Sequence, residues 1–162
     1  MNKITSSEVS GLLAYPIRIN EFTSHWLQEA ISRGRLIHSR LGFDNVKTFQ
    51  RVLRLNKESV LVVGMPDRVD DKYCYELKTY TRRTKEKVIK VGKIQCKTYT
   101  FITGLPSKLV LYSVDAEKIT EEKIVPFNLK EFRMLIRKAL LLREMIRKFK
   151  ARFKDVQAEV KV

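Results

Sequence analysis

Apolar residues recur at helical spacing in two early stretches, "SSEVSGLLAYPIRINEF" (6–22) and "SHWLQEAISRGRLIHSRLG" (24–42). Serines precede the first stretch, and Glu8 is placed to complete a capping box with them. Pro16 is expected to end or kink this first helix, because proline cannot continue a helical hydrogen-bond ladder. Gly42 is expected to close the second helix.

From residue 46 the apolar period changes to two. The stretches 46–56, 59–70 and 72–82 then read as three strands, joined by short polar turns at Asn56-Lys57 and Asp70-Asp71. Connections this short predict a meander of antiparallel hairpins.

Residues 91–104 return to helical period and end at Gly104, and 108–116 form another apolar strand. A long final helix is predicted from Asn128 to about Phe153, with Glu131 as its capping-box partner. Its apolar residues alternate steps of three and four: Phe132, Leu135, Ala139, Leu142, Ile146, Phe149 and Phe153. This spacing suits either a helix docked on the core or a coiled-coil dimer seam.

These elements predict one α/β domain over residues 1–162. We expect N-terminal helices in 1–45, a catalytic core in 46–115 and a basic amphipathic helix in 127–154. The expected core is a mixed sheet with an antiparallel three-strand meander, a helix and a further strand, flanked by helices. A chain of 162 residues with 44% apolar residues can bury such a core.

The charge of the chain indicates a polyanionic partner. Lys and Arg number 33 against 18 Asp and Glu, a formal net charge of +15, which costs self-repulsion unless it is offset. Nucleic acid is the first partner to consider, and an inert basic surface is the alternative. The sequence contains neither a signal-peptide pattern nor a run of about 18 apolar residues, so no membrane partner and a cytoplasmic location are expected. Abundant Lys, Glu, Val and Ile with few Asn and Gln also hint at a thermophilic source.

The stretch "GMPDRVDDKYCYELKTY" (64–80) contains the candidate chemistry. Strand alternation places Glu76 and Lys78 on one face, and a hairpin register brings Asp67 close to Glu76. Converging carboxylates favour a hard divalent cation between them. The alternative is a solvated strand face on which Glu76 and Lys78 form a weak charge pair. An acid-x-lysine triplet is weak evidence alone, since the chain has rival copies at Asp70–Lys72 and Glu121–Lys123.

Four short motifs occur in a fixed order along the chain. Gly34–His38 reads glycine-x-x-x-histidine, Gly64–Asp67 glycine-x-x-aspartate, Glu76–Lys78 acid-x-lysine, and Gln95–Tyr99 glutamine-x-x-x-tyrosine. With this ordered set, the sequence resembles the PD-(D/E)XK nuclease superfamily, and specifically its RecB-like branch, which includes CRISPR-associated nucleases. The resemblance spans roughly residues 5–115 and implies a restriction-endonuclease-like fold.

The resemblance implies a metal centre that holds one or two Mg²⁺ or Mn²⁺ ions. Its ligands would be Asp67, Glu76, His38 and the backbone carbonyl of Leu77. Without the other motifs, an ordinary half-buried helix histidine would be the favoured interpretation of His38. Iron-sulfur members of the family have a cysteine before the proline of the opening segment, where this chain has Tyr15. We therefore expect no iron-sulfur cluster.

The remaining implied roles support catalysis. Lys78 would orient the attacking water and offset charge in the transition state. Gln95 and Tyr99 would position Lys78 or the substrate, although their spacing of four also fits simple packing at the core edge.

A basic run follows the candidate active-site strand, and it is placed to bind phosphates while Tyr80 stacks on a base. Its cationic residues are Arg82, Arg83, Lys85, Lys87, Lys90 and Lys93. The alternative is a solvated, lysine-rich loop.

The sequence therefore predicts a free-standing, Mg²⁺- or Mn²⁺-dependent DNA nuclease, a monomer or homodimer, acting in DNA replication, recombination, repair or end processing. Two alternatives remain open: a non-catalytic basic DNA-binding protein, and a junction-resolvase or restriction-like endonuclease of the same superfamily.

Overall fold

A computed structural model describes residues 1–14 and 25–160 of the chain. Pro16 and Tyr15 lie outside the described residues, as do the side chains of residues 25–27, 153 and 155–160, so the predicted stripe position Phe153 is not described. The strands are β1 (Asn2–Thr5), β2 (Phe49–Arg54), β3 (Ser59–Gly64), β4 (Arg68–Val69), β5 (Cys74–Tyr80), β6 (Ser107–Ser113) and β7 (Lys118–Val125). The helices are α1 (Ser6–Ala14), α2 (His25–Arg40), α3 (Lys85–Thr103) and α4 (Leu129–Val160).

The strands form two mixed sheets. In the first, of order β1-β3-β2, β2 and β3 make the expected hairpin, and β1 pairs in parallel with β3. The second has the order β4-β5-β6-β7, with a parallel β5–β6 pair at its centre and antiparallel neighbours on both sides. Helix α3 makes the connection that a parallel pair requires.

The expected three-strand meander is wrong in one respect, because its middle strand is broken and divided between the sheets. Residues up to Gly64 pair with β2 in the first sheet, whereas Arg68 and Val69 pair with β5 in the second. Pro66 lies between them and has no N–H to donate, so the ladder cannot continue through it. The segment 65–67 therefore crosses from one sheet to the other. Strands β1 and β7 were not predicted.

The helix ends follow the sequence signals, except that Thr5, and not one of the following serines, is the cap of α1. Thr5 and Glu8 form the capping box of α1, in which Thr5 N–H donates to Glu8 Oε2 at 2.8 Å and Glu8 N–H donates to Thr5 Oγ1 at 3.2 Å. Gly42 (φ 75°) follows α2 and Gly104 (φ 76°) follows α3, both in the left-handed region that favours glycine. Glu131 N–H donates to the Asn128 side chain at 3.0 Å at the start of α4.

Helix α3 lies at the centre of the fold. One side packs on β5 and β6, where Cys96 is buried with Leu109 and Leu111. The other side belongs to the main core, in which Phe101 stacks on Phe132 of α4 with ring centroids 5.0 Å apart. A side chain of β5 that points toward α3 is consequently shielded from water.

The first half of α4 docks on the core, which is one of the two alternatives that its apolar spacing allows. Phe132, Ile136 and Ala139 are buried against the main core. Further along, Leu141 and Met145 are 62% and 56% exposed. The docking contacts of α4 are therefore concentrated near its beginning.

Candidate active site

The two faces of β5 lie in different surroundings. Tyr75 and Leu77 pack in a cluster with Phe43 and with Ile37 of α2. Glu76 and Lys78 point to the opposite face, as strand alternation predicts, where α3 covers them. Glu76 is only 3% exposed. The Glu76 carboxylate therefore does not lie on a solvated strand face.

Glu76 and Lys78 form an ion pair on this covered face, in which Lys78 Nζ contacts Glu76 Oε1. The other oxygen, Oε2, is buried and accepts no hydrogen bond of good geometry among the described residues, although the Tyr99 hydroxyl is close enough to act on the carboxylate. Burial raises the pKa of Glu76 to about 7, against the lowering effect of the Lys78 charge, and the nearby Asp67 carboxylate adds to the rise. Burial alone would lower the pKa of Lys78, but the Glu76 carboxylate outweighs it and the pKa of Lys78 is raised.

Asp67 lies at the edge of the second sheet, just before β4. Its N–H donates to the Tyr75 carbonyl at 3.0 Å, and its Oδ2 accepts the Leu77 N–H at 2.8 Å. Its Oδ1 lies 3.5 Å from Nδ1 of His38, in the last turn of α2. The structure thus brings His38, Asp67 and the backbone of the Glu76 strand together.

The backbone of Leu77 also faces this edge. The N–H and C=O of one strand residue point to the same side, and the Leu77 N–H points to Asp67, away from β6. Strand β4 pairs only with Cys74 and Tyr75 and does not reach Leu77. The Leu77 carbonyl is therefore directed toward the Asp67 side chain rather than into the sheet.

Gln95 and Tyr99 lie on α3, buried to 7% and 3% exposure. Gln95 Oε1, like Glu76 Oε2, is buried without a hydrogen-bond partner within the part of the chain that the structure describes. Tyr99 packs over Gly64, where an added Cβ atom would lie 3.0 Å from Tyr99 Cε1 and 3.2 Å from Ser6 Oγ. The glycine of the glycine-x-x-aspartate motif thus suits the close packing against α1 and α3, where a larger residue would displace its neighbours.

The donor set fits a hard divalent cation. It comprises two carboxylates, a directed backbone carbonyl and one imidazole, and one carboxylate oxygen is buried without a partner. In the conformation seen, Glu76 engages Lys78, and no three His, Cys, Asp or Glu side chains among the described residues are grouped closely enough to hold an ion. Binding of an ion through Glu76 Oε2, the oxygen that Lys78 does not contact, would therefore require the Glu76 and Asp67 carboxylates to come closer together.

The basic run that follows β5 is mostly helical and not a loop. Arg82 and Arg83 are exposed in the turn before α3, and Lys87, Lys90 and Lys93 are exposed on α3 itself. Lys85 differs from them, because its ammonium pairs with Glu121 at 3.0 Å.

Tyr80 does not present its ring to solvent. It is 8% exposed in the cluster beneath α3, and its hydroxyl lies 2.8 Å from Thr120 Oγ1. The expected stacking of Tyr80 on a base is incompatible with this position. The same alternation that places Glu76 under α3 also places Tyr80 there.

In both rival acid-x-lysine triplets, an acidic residue makes contacts within the fold that need no active site. Asp70 accepts the N–H groups of Lys72 and Tyr73, both at 2.8 Å, and the Tyr75 hydroxyl at 2.7 Å, so it organises the β4–β5 turn. Glu121 lies on the edge strand β7 and pairs with Lys123 at 3.4 Å. Only the Glu76 triplet is buried beside a second carboxylate.

One residue near the site was missed in the sequence. Asn45 contacts the backbone of both Pro66 and Asp67. Its position shortly after a helix-ending glycine is typical of turn-forming asparagines, but this signal does not reveal which distant segment it holds.

Two further properties bear on the chemistry. Cys74 and Cys96 are free and buried, and burial raises the pKa of both thiols. Over residues 1–14 and 25–160, no helix combines the length and apolarity needed to cross a membrane.

No protein-family model and no curated protein matches the chain. Among solved structures it is similar to SSO0001, with a TM-score of 0.60 and 18% identity over 88% of this chain and 77% of that one. It also resembles an alkaline exonuclease from Laribacter hongkongensis (LHK-Exo; TM-score 0.49, 14% identity, 98% and 94% coverage). A third structure is Rai1 of Scheffersomyces stipitis (TM-score 0.39, 13% identity, 84% and 52% coverage).

The similarity to SSO0001 is one of fold, because the identity is too low to transfer an activity. The predicted mixed α/β fold class is confirmed, with the division into two sheets as its correction, and the restriction-endonuclease-like assignment stays a prediction.

Proposed function

We propose that the chain is a divalent-metal-dependent DNA nuclease of the RecB-like branch of the PD-(D/E)XK superfamily. The observation that carries this proposal is the buried Glu76 carboxylate, which has Lys78 on one oxygen and no partner on the other.

A buried carboxylate with an unpartnered oxygen is costly unless something offsets its charge. Here the cost is greater because the Asp67 carboxylate is close enough to raise the pKa of Glu76. A divalent cation between Asp67 and Glu76, with His38 and the Leu77 carbonyl as further ligands, would offset both charges. Such an ion, Mg²⁺ or Mn²⁺, supplies polarisation of a phosphate oxygen and a bound water of lowered pKa.

Lys78 would provide the fixed positive charge of the site. Its ammonium is held in place by Glu76 and stays protonated at neutral pH, because the carboxylate raises its pKa. It can donate hydrogen bonds to a water or to a phosphate oxygen on which negative charge develops. Gln95 and Tyr99, buried on α3 beside this pair, would restrict how Glu76 and Lys78 move.

DNA is the proposed substrate because of the surface charge. The net charge of +15 is accompanied by exposed cations before and along the first half of α3: Arg82, Arg83, Lys87, Lys90 and Lys93. Exposed cations of this kind bind the phosphate backbone independently of sequence.

The test is cleavage of end-labelled linear DNA and of circular DNA with Mg²⁺, with Mn²⁺ and with EDTA. We expect cleavage only with the ions, and a loss of at least about 100-fold in Glu76→Gln and in Lys78→Ala. The matched controls are Glu121→Gln and Lys123→Ala, which alter the exposed rival triplet on β7 and should leave cleavage unchanged. A wild-type protein that is inert with both ions on single-stranded, duplex and branched DNA would refute the proposal.

A second candidate is a non-catalytic DNA-binding protein. The observation in its favour is that Glu76 is closed onto Lys78, so that the described acidic and histidine side chains form no ready ion site. This candidate predicts salt-sensitive DNA binding that persists in EDTA, without cleavage, and that is unchanged in Glu76→Gln.

A further inference from the structure

The chain turns sharply after α2 and returns to the sheet edge. Gly42 N–H donates to the Ser39 carbonyl at 3.2 Å, and Phe43 N–H donates to the His38 carbonyl at 2.8 Å. This is the hydrogen-bond pattern of a Schellman motif. Phe43 is buried and meets Tyr75 edge-on, with ring centroids 6.1 Å apart. The segment after α2 is thereby anchored beside β5.

Asn45, which follows this anchor, uses all its amide groups. Its backbone N–H donates to the Asp67 carbonyl at 2.9 Å, and its side-chain Nδ2 donates to the Pro66 carbonyl at 2.8 Å. Nδ2 also donates to the Lys47 carbonyl at 3.0 Å, and Oδ1 accepts the Lys47 N–H at 3.1 Å. An asparagine side chain carries two N–H donors and one carbonyl acceptor, so it can make all three of these side-chain hydrogen bonds.

The bonds from Asn45 reach the segment where the sheet cannot hold the chain. Residues 65–67 lie between the two sheets, and Pro66 has no N–H for a ladder bond. Asp67 is therefore fixed by its own bond to Tyr75, by Asn45 at its carbonyl and by His38, which faces its carboxylate. The segment 38–45 thus holds the candidate ligand Asp67 from two sides.

We propose that Asn45 is a positioning residue for Asp67, which fixes the backbone at 66–67 so that the carboxylate stays between Leu77 and His38. This inference rests on the proposed function in so far as Asp67 is taken as a metal ligand. Residues that orient a ligand typically change metal affinity or activity by about 10- to 100-fold when they are lost.

The first measurement is hydrogen exchange at the Leu77 amide, because this N–H donates to Asp67 Oδ2 and reports its orientation without any metal. The variants are Asn45→Ala and Asn45→Asp. Asn45→Asp keeps a side-chain oxygen that can accept the Lys47 N–H, but it lacks the Nδ2 hydrogens that are donated to the Pro66 and Lys47 carbonyls. The matched control is Asn56→Ala, which removes a side chain that binds Arg137 at the β2–β3 turn. We expect exchange at Leu77 to be at least about tenfold faster in the Asn45 variants than in the wild type and the control.

The second measurement is Mn²⁺ binding by calorimetry. We expect the Kd to rise about tenfold or more in the Asn45 variants, with DNA binding in EDTA unchanged. Unchanged Leu77 exchange, or unchanged Mn²⁺ affinity in a folded variant, would overturn the inference. Failure of both variants to fold would overturn it too, by assigning Asn45 to the stability of the fold. If the wild type itself binds no Mn²⁺, the proposed function fails, and the Leu77 amide still decides whether Asn45 orients Asp67.

Discussion

Lys78 contacts one oxygen of the Glu76 carboxylate and leaves the other oxygen buried without a partner among the described residues. Both side chains lie beneath α3, and the helix can approach them because residue 92 is glycine. A Cβ atom there would lie 3.2 Å from Lys78 Cγ and 2.5 Å from Leu109 Cδ1. The close packing of α3 thus determines how far water is excluded from the Glu76–Lys78 ion pair.

The metal-free protein should lose stability as pH rises, because of Glu76. The pKa of Glu76 is raised from 4.5 to about 7 on folding, chiefly by burial, so between these values the folded state binds more protons than the unfolded state. Its contribution is fully present below about pH 4.5 and is lost as pH rises through 7. We expect the free energy of unfolding in EDTA, relative to Glu76→Gln, to fall by at most about 3 kcal/mol between pH 5 and pH 8.

The control for this measurement is Glu121→Gln, since Lys85 lowers the pKa of the exposed Glu121. Its contribution has the opposite sign and is lost as pH falls. Urea titrations of the three proteins at several pH values would separate the two trends. A wild-type stability that rises relative to Glu76→Gln over this range would contradict the assigned burial of Glu76.

Gly92→Ala should destabilise the protein by about 1–2 kcal/mol. Overpacking against the fully buried Leu109 costs about 1–3 kcal/mol, and the better helix propensity of alanine returns part of this. The control is Gly11→Ala in α1, where a Cβ atom would meet nothing within 4 Å and a gain of about 0.5–1 kcal/mol is expected. Equal effects of the two substitutions in denaturant unfolding would rule out this close approach of α3.

Asp70→Asn should destabilise the protein at neutral pH and have little effect in strong acid. Hydrogen bonds from the Tyr75 hydroxyl and from the N–H groups of Lys72 and Tyr73 lower the pKa of Asp70 to about 2. A lowered carboxyl pKa stabilises the fold above the unfolded value and loses this effect as pH falls through about 2. Unfolding midpoints at pH 7, 4 and 2.5 measure the difference, which should shrink toward the lowest pH. Asp71→Asn, one residue further in the same turn, is the comparison, and a matching pH trend in it would contradict the assignment.

Removal of cations from α3 should reduce the salt dependence of DNA binding. In the triple variant Lys87→Ala, Lys90→Ala and Lys93→Ala, we expect the slope of log K against log salt to fall by about 2 to 3, since each phosphate contact contributes about 0.9. The same charge is removed by replacing Lys130, Lys138 and Lys148 of α4. If this second triple variant reduces the slope as much as the first, DNA does not bind preferentially along α3.

The sequence predicted the side chains of the candidate site better than their surroundings. A period of two over residues 72–82 correctly placed Glu76 and Lys78 on one face, because alternation is a local property of a strand. Whether that face is wet depends on α3, which comes from later in the chain. For the same reason the sequence does not show that Tyr80 is buried on the face that α3 covers.

The missed elements have weak local signals. Strand β1 has four residues, of which only Ile4 is buried, and β7 alternates charged residues with few apolar ones. A proline such as Pro66 indicates a break in strand pairing, but the change of sheet depends on distant partners. The sequence around Pro66 does not show that the residues after it leave the sheet in which β3 pairs with β2 and pair with β5 in the other sheet.

The parallel pairing of β1 with β3 has a consequence for the order of folding. Thr5 and Val63 are neighbours in the first sheet although they lie roughly sixty residues apart in the chain. The β2–β3 hairpin and the contiguous β5–α3–β6 unit require much shorter loops to close. We therefore expect these units to form early and β1 to dock late. Ser6, which follows β1 and packs against Gly64 and Tyr99, would then close over the site only in the final steps of folding.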